Sequence, residues 1–329
     1  MRRDPLKSKL GEADMAKKQK EAVARGDKSR LQWTWHLMKQ YKIGYVMIAP
    51  YMILFILMTV IPVLGSIFVS FTDYNLLQMP NWVGLDNYIN LFLNDELFTT
   101  ALKYTLIFAV SVGLGSYILS FIVAWFVNEL SPKVRAFVTL IFYAPSLVAG
   151  SIYVVFSYVF SGDSYGLING WLMNWGVISD PILFFADVRY ILPTIIVIQL
   201  WMSLGTAFLS FIAGFQGLDR SQMEAGAVDG ITNRWQELWY ITLPNLKPQL
   251  MFGAIMSITS SFGVGGYVTQ FCQGLPTDYV GYTLGLHLGE YGGTRWEFGY
   301  GCAISMVLFF LMVGTNMIVQ KMLSKVGNS

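Results

Sequence analysis

The 329-residue chain is 54% hydrophobic and only 13% charged, with a formal net charge of +2 and a mean hydropathy of +0.51. A soluble domain carries charge on about a quarter of its residues, so this composition excludes an ordinary soluble fold. The two histidines and two cysteines are too few for a metal cluster or a disulfide framework. Whether Cys272 pairs with Cys302 stays open at this point.

Six long stretches of the chain are apolar and free of charged residues: about residues 43–71, 104–128, 136–161, 190–214, 248–271 and 298–320. Each exceeds the ~20 residues that a helix needs to cross the hydrocarbon core of a bilayer. They are too long and too evenly apolar for the strands of a membrane barrel. We therefore predict an all-α, polytopic membrane protein with six transmembrane helices in one domain, residues 43–325.

The positive charges predict the orientation of these helices, because Lys and Arg are favoured on the cytoplasmic side. They are concentrated in a basic tail, residues 1–42, in the loop between spans two and three, and in the loop between spans four and five. Both termini are thus expected to be cytoplasmic. The tail suits an anionic inner leaflet, so the lipid bilayer is its expected partner and no nucleic acid is needed to explain it.

The loop between spans four and five, residues 217–247, is named here the coupling loop. It is longer and more patterned than an ordinary connector. Ser221 and Glu224 have the spacing of a capping box, and Gly230 suits a left-handed helix stop. Asn233 can begin a second short helix, which Pro244 is expected to end.

The second short helix carries apolar residues at positions i, i+3, i+4 and i+7, a spacing that predicts one helix face. These residues are Trp235, Leu238, Trp239 and Thr242. The sequence therefore predicts a helix–turn–helix outside the bilayer, with an apolar face on which a partner docks. Glu224 could meet a basic group of that partner or only cap its own helix.

The coupling loop resembles the EAA loop of ATP-binding-cassette (ABC) importer permeases of the binding-protein-dependent sugar uptake type. In that family Glu-Ala-Ala is followed by Gly after three residues and by Ile-x-Leu-Pro further on. The matching residues here are Glu224, Ala225, Asp229, Gly230, Ile241, Leu243 and Pro244. Gly226 replaces the second Ala, and one additional residue precedes Ile241, which we place in the turn near 231–232.

Two further segments resemble the same permeases. Residues 82–88, Trp-Val-Gly-Leu-Asp-Asn-Tyr, are similar to the Phe-Val-Gly-Leu-x-Asn-Tyr segment that follows their first span. Residues 298–303, Phe-Gly-Tyr-Gly-Cys-Ala, are similar to the entry of their last span. The resemblance thus extends over most of residues 43–325.

The resemblance implies a permease subunit that forms the pathway for a carbohydrate in a prokaryotic plasma membrane. An extracytoplasmic solute-binding protein would deliver the cargo, and a second homologous permease would complete a heterodimer. A separate ATPase dimer would hold ATP and Mg²⁺. The residues expected to couple to it are Glu224, Ala225, Gly226, Asp229, Gly230, Trp235, Leu238, Leu243 and Pro244.

Several kinds of chemistry are missing from the sequence. The chain contains no G-x-x-x-x-G-K-[ST] phosphate loop, so it is not expected to hydrolyse ATP by that route. It also lacks the H-E-x-x-H and G-x-S-x-G motifs. We therefore expect a transport subunit without catalytic residues, bound cofactor or metal of its own.

The sequence gives weaker evidence for the residues that line the substrate pathway. Span five contains a run of small and polar residues at 257–267, which suits tight helix packing or the lining of a cavity. Four residues are our candidates for pathway lining: Tyr153, Gln199, Ser260 and Tyr267.

Two other classes of protein compete with the importer at this stage. A secondary carrier or channel needs no ATPase, but ion-coupled carriers usually keep a charged group within the membrane, and no span here has one. An intramembrane enzyme or a scaffold is the third possibility. The scarcity of His, Asp and Glu in the spans argues against the enzyme.

Overall fold

A computed structural model describes residues 34–35, 38–148, 150 and 152–324. The predicted basic tail, residues 1–42, falls almost wholly outside the described residues. Within them all regular structure is helical, apart from one isolated bridge between Thr72 and Trp82, which confirms the all-α prediction. The chain divides into two compact units, Met1–Gly65 and Ser66–Ser329.

The helices are numbered in chain order. They are α1 (Lys42–Val69), α2 (Asp86–Ile89), α3 (Glu96–Asn128), α4 (Pro132–Leu147), α5 (Ile152–Val159), α6 (Leu167–Asn174), α7 (Val188–Met202), α8 (Thr206–Gln216), α9 (Arg220–Val228), α10 (Arg234–Glu237), α11 (Leu243–Asn245), α12 (Lys247–Ser261), α13 (Gly265–Phe271), α14 (Leu284–Gly289) and α15 (Phe298–Leu323).

Three of these helices, α1, α3 and α15, are each long and apolar enough to cross a membrane alone. Three further spans are possible as bent pairs of shorter helices: α4 with α5, α7 with α8 at 41°, and α12 with α13 at 44°. Since backbone polar groups must be satisfied within the hydrocarbon, this helical architecture is that of a multi-pass membrane protein. The segment between the third and fourth apolar stretches contains one short helix, α6.

Helix α8 forms the centre of the largest apolar cluster. Its Phe208 and Phe211 are completely buried, and they pack with Ala124 of α3 and Leu250 of α12. The close approach of α12 depends on Gly253, because a Cβ atom there would lie 2.5 Å from the Phe211 ring. Small residues thus allow tight packing in span five, which was one of the two interpretations of its composition.

The Trp-Val-Gly-Leu-Asp-Asn-Tyr segment folds back onto the end of α1. The Asn87 side-chain amide donates hydrogen bonds to the carbonyls of Ser70 and Thr72, at 2.9 and 2.8 Å. The hydroxyl of Tyr88 donates to Ser70 Oγ at 2.8 Å. The two Asn87 bonds satisfy backbone carbonyls just beyond the end of α1, and the Tyr88 bond adds a side-chain contact to the same turn.

A largely buried polar cluster connects three helices, α3, α14 and α15. The carboxylate of Asp95 caps α3 by accepting from the backbone N–H groups of Leu97 and Phe98. It also lies 2.8 Å from His287 Nε2 of α14 and accepts from the Tyr300 hydroxyl of α15 at 2.7 Å. Burial acts to raise the pKa of Asp95, but the hydrogen bonds from Tyr300, His287 and the Phe98 N–H outweigh it and hold the pKa below its usual value. Burial also lowers the pKa of His287, which favours a neutral imidazole that acts on Asp95 as a hydrogen-bond donor. An ionised Asp95 therefore ties these helices together.

The start of α15 lies against the turn that follows α1. Gly299 donates its backbone N–H to the carbonyl of Tyr74 at 2.9 Å. A Cβ atom at Gly299 would fall within van der Waals contact of the Thr72 carbonyl oxygen and would clash with it. Glycine is therefore required at this position of residues 298–303, because the backbone of Thr72 lies too close for any side chain.

We expect Gly299→Ala to destabilise the protein by about 3 kcal/mol, at the upper end of overpacking costs, because its neighbour is backbone that cannot rotate away. The matched control is Gly314→Ala in the same helix, where a Cβ atom meets nothing within 4 Å. The measurement is the thermal unfolding midpoint in detergent. Equal midpoints for the two variants would contradict the explanation.

Candidate coupling surface and membrane cavity

The first half of the coupling loop is the nine-residue helix α9. Its N-cap is Asp219, whose carboxylate accepts from the backbone N–H of Ser221 at 3.0 Å. The predicted capping box at Ser221 is therefore wrong: the helix begins before Ser221, because Asp219, an equally good cap residue two positions upstream, is the N-cap. Glu224 does not reach back, and its exposed carboxylate makes no hydrogen bond or ion pair with any described residue.

The turn between the two short helices begins with a Schellman motif. Gly230 has a φ of +96°, and its N–H donates to the Ala227 carbonyl at 3.3 Å. The N–H of Ile231 donates to the Gly226 carbonyl at 2.9 Å. This pair of bonds is the usual way to satisfy the last carbonyls of a helix, and it confirms the predicted left-handed stop at Gly230.

Gly226 is the point where the two halves of the coupling loop pack together. It is buried, and a Cβ atom there would lie 2.5 Å from Cδ1 of Ile241 and 3.1 Å from Cδ1 of Ile231. The side chains of Gln222 and Asn245 add a hydrogen bond of 2.7 Å between the same halves. The motif residues Gly226 and Ile241 are thus related by direct contact.

The second half begins as predicted, with Asn233 as the N-cap that accepts from the Gln236 N–H at 2.8 Å. The Gln236 side chain accepts in return from the N–H of Thr232 at 3.0 Å. The helix then continues through a π-helical turn at Leu238–Thr242. Pro244 does not end it, because this proline lies in the first turn of α11, where no amide donor is needed.

The predicted single face of this helix is divided in two. Leu238 and Thr242 are buried, whereas Trp235 and Trp239 are 69% and 67% exposed. A π-helical turn has hydrogen bonds from i to i+5. Residues spaced i, i+3, i+4 and i+7 therefore no longer lie on one face, as the prediction assumed for an α-helix. The π-helical turn also accommodates the one additional residue of this loop. The turn at 229–233, where we predict that residue, accommodates it equally well.

An exposed surface results on the coupling loop, named here the docking surface and formed by Glu224, Val228, Trp235, Trp239 and Tyr240. Large aromatic side chains are enriched in protein interfaces, so the exposed Trp and Tyr residues make this surface a candidate for one. Of the other predicted coupling residues, Ala225 and Asp229 are exposed and Leu243 and Pro244 are half-buried.

The loop is fastened to other helices as well as to itself. Arg234 forms an ion pair of 2.9 Å with Glu129, at the end of α3, and the rings of Trp125 and Trp235 lie 5.1 Å apart. Lys247 donates to the Ser324 carbonyl at 2.7 Å. Exposed ion pairs contribute little individually, but together these contacts connect the coupling loop to the ends of two helices, α3 and α15.

A second feature is a cavity of about 450 Å³ among α4, α7, α8, α12 and α13. Both helix breaks, at 203–205 and 262–264, contribute to its lining. Its polar lining consists of hydroxyl and amide side chains, namely Tyr143, Ser146, Gln199, Ser203, Thr206, Ser257, Ser260 and Tyr267. None of the lining residues is charged.

Two lining residues have unused hydrogen-bonding capacity. Gln199 is 5% exposed and Ser257 is 4% exposed, and neither Gln199 Nε2 nor Ser257 Oγ has a partner among the described residues. A buried polar group without a partner costs about 1–3 kcal/mol. Such groups in a cavity are suited to bind a hydroxyl-bearing molecule.

The structure brings together three of the four predicted pathway residues, Gln199, Ser260 and Tyr267, in this one cavity. Tyr153 does not line it, and its ring packs on Phe271 at 5.3 Å instead. Sequence reasoning missed Tyr143 and Ser257 as lining residues. Ser257 belongs to the small polar run of span five, whereas nothing in the sequence marks the face of α4 that carries Tyr143.

Both cysteines are free: Cys272 and Cys302 form no disulfide. The described residues contain no group of three or more His, Cys, Asp or Glu side chains that could hold a metal ion.

A multi-pass helical fold, a polar cavity at two helix breaks and an exposed loop with its own tertiary structure together define a membrane transport protein. Residues 116–320 match the family described as binding-protein-dependent transport system inner membrane component. The chain belongs to this family. It is a permease subunit of an ABC importer, and the resemblance seen in the coupling loop is confirmed.

Curated relatives agree with this assignment. The probable ABC transporter permease protein YesP of Bacillus subtilis is 33% identical over 82% of this chain and 86% of its own length. The lactose transport system permease protein LacF of Rhizobium radiobacter is 31% identical over 82% of this chain and 90% of its own. A solved bacterial ABC transporter that imports the acidic polysaccharide alginate has the same fold, with a TM-score of 0.74, 22% identity and coverage of 89% of this chain and 99% of that one.

We expect Gly230→Val to loosen the turn of the coupling loop, because a β-branched residue at this positive φ costs about 1–2 kcal/mol. Its Cβ atom would meet nothing within 4 Å, so backbone strain is the only cost. Amide hydrogen exchange of residues 226–231 should become about 5- to 30-fold faster. Gly230→Asn is the control, since Asn tolerates this conformation. Equal exchange in the two variants would show that the positive φ is not required.

Proposed function

We propose that this chain forms the translocation pathway for a carbohydrate, together with a second homologous permease in a heterodimer. An extracytoplasmic solute-binding protein delivers the cargo. An ATPase dimer, which holds ATP and Mg²⁺, supplies the energy, and the chain itself has no cofactor. The protein lies in the plasma membrane of a prokaryote with six spans, each bent helix pair counting as one, and with both termini and the coupling loop in the cytoplasm.

The observation that carries the proposal is the unpaired, exposed Glu224 on a loop held rigid by a Schellman motif, the Gly226 contact and the Asn233 cap. A surface that transmits force must be stiff and must present groups to a partner. Glu224 has no role as a cap of its own helix, so a contact with a basic group of the ATPase is the remaining alternative. Trp239 and Tyr240 give this contact its apolar part.

The cargo class is supported by the cavity and by the relatives. The cavity is lined by amides, hydroxyls and tyrosine rings and by no charged group. Such a lining suits the hydroxyl groups and the apolar faces of a sugar. Relatives include permease proteins for lactose and for arabinooligosaccharides. The family's dependence on a binding protein supports the external delivery component.

The positive charges support the orientation. Lys133 and Arg135 follow α3 on the same side as the coupling loop, because Arg234 reaches Glu129 there. Positive residues favour the cytoplasm, which is also where an ATPase must bind.

Uptake measurements test the pathway. We expect Gln199→Leu to lower uptake of a saccharide cargo by about tenfold, because one or two hydrogen bonds worth about 1 kcal/mol each are lost. Cells would be given a panel of radiolabelled saccharides that includes lactose and arabinooligosaccharides. Gln249→Leu is the matched control, since Gln249 is a half-buried glutamine with an unpartnered Oε1 outside the cavity lining. Equal uptake in the two variants would overturn the proposed pathway.

A further inference from the structure

A second cavity, of about 400 Å³, lies where α3 and α8 end and the coupling loop begins. Its wall on the side of the spans is apolar and includes Trp125, Phe215 and Leu218. The rest of its lining is strongly polar and includes Arg135, Arg220, Arg234, Glu129 and Glu237. It is separate from the cavity described above and shares none of its lining residues.

The arginines of this cavity differ in whether they have an acidic partner. Both carboxylates are held by one arginine: Arg234 lies 2.9 Å from Glu129 and 3.1 Å from Glu237. Neither of the other two arginines forms an ion pair with a described residue. The cavity therefore has an excess of positive charge on the side of Arg135 and Arg220.

Arg135 is anchored and keeps spare donor capacity. Its Nη2 donates to the carbonyls of Asn128 and Leu130, at 2.8 and 3.1 Å, which fixes the guanidinium at the end of α3. Its Nε is buried and has no partner among the described residues. Arg220, by contrast, is exposed, and its side chain makes no hydrogen bond or ion pair with any described residue.

We infer that this cavity binds a phosphate-ester anion between Arg135 and Arg220. Guanidinium groups suit phosphate oxygens because they present several donors in one plane. The anion has two sources, the headgroup of an anionic phospholipid or a soluble phosphate. The apolar wall at the ends of the spans fits the lipid, and basic pockets between membrane helices on the cytoplasmic side bind such headgroups.

The test uses the permease purified with the subunits that co-elute, depleted of lipid and offered equal amounts of phosphatidylglycerol and phosphatidylcholine. Native mass spectrometry counts the lipids retained. We expect phosphatidylglycerol to be preferred and Arg220→Gln to reduce its retention about fivefold, which is the contribution of one cation near an anionic surface. Arg135→Lys should also reduce it, because lysine keeps the charge but loses the planar donors.

The matched control is Lys133→Gln, which removes the same charge from an exposed residue of α4 outside the cavity. If Arg220→Gln and Lys133→Gln lower retention equally, general surface charge explains the binding and the site is wrong. A second arm adds millimolar inorganic phosphate at constant ionic strength. An increase in thermal stability that Arg220→Gln abolishes, without lipid preference, would assign the site to a soluble phosphate. Equal retention of both lipids and no effect of phosphate would overturn the inference.

Discussion

The constraint on which the rest of this structure depends is that a backbone inside a bilayer must satisfy its own polar groups. Long helices meet it, and α1, α3 and α15 each do so over more than one bilayer thickness. Two of the three bent helix pairs are interrupted at 203–205 and 262–264. Both breaks line the uncharged cavity that contains Gln199 and Ser257, so interrupted backbone and unused hydrogen-bonding groups occur together where a polar cargo could be bound.

The coupling role proposed for the loop at 217–247 sets a different requirement, which is stiffness. A short helix such as α9 is marginal alone in water. Here the contact of Gly226 with Ile241, the Schellman motif at Gly230 and the hydrogen bond from Asn245 to Gln222 give it tertiary support. The ion pair between Arg234 and Glu129 then connects it to a membrane helix. Under the proposed function, these links would transmit a movement of the docking surface to the membrane helices.

Local signals in the sequence predicted local features well. The helical class, the positive φ of Gly230 and the cap at Asn233 each depend on a few neighbouring residues. The start of α9 was wrong because two cap-type residues, Asp219 and Ser221, stand two positions apart and the spacing of Glu224 favoured the wrong one.

Features that depend on contacts between distant residues could not be predicted from the sequence. The π-helical turn at Leu238–Thr242 changed the direction of Trp239, because periodicity assumes a continuous α-helix. The contact between Asp95 and His287 joins residues 192 positions apart, and it was not foreseen. Polarity alone identified Gln199, Ser260 and Tyr267 as lining residues, whereas Tyr153 turned toward Phe271 because a ring can pack in the core as readily as it can face a cavity.

The central claim is that the docking surface binds a separate ATPase, and purification in mild detergent with mass spectrometry of the co-eluting proteins tests it most directly. The account predicts that a P-loop ATPase and a second permease co-elute with the wild type. The ATPase should be lost from Glu224→Arg but retained by Asp180→Arg, which makes the same charge change at an exposed residue of another loop. A chain that elutes without an ATPase in several detergents, or a Glu224→Arg variant that keeps it fully, would contradict the account.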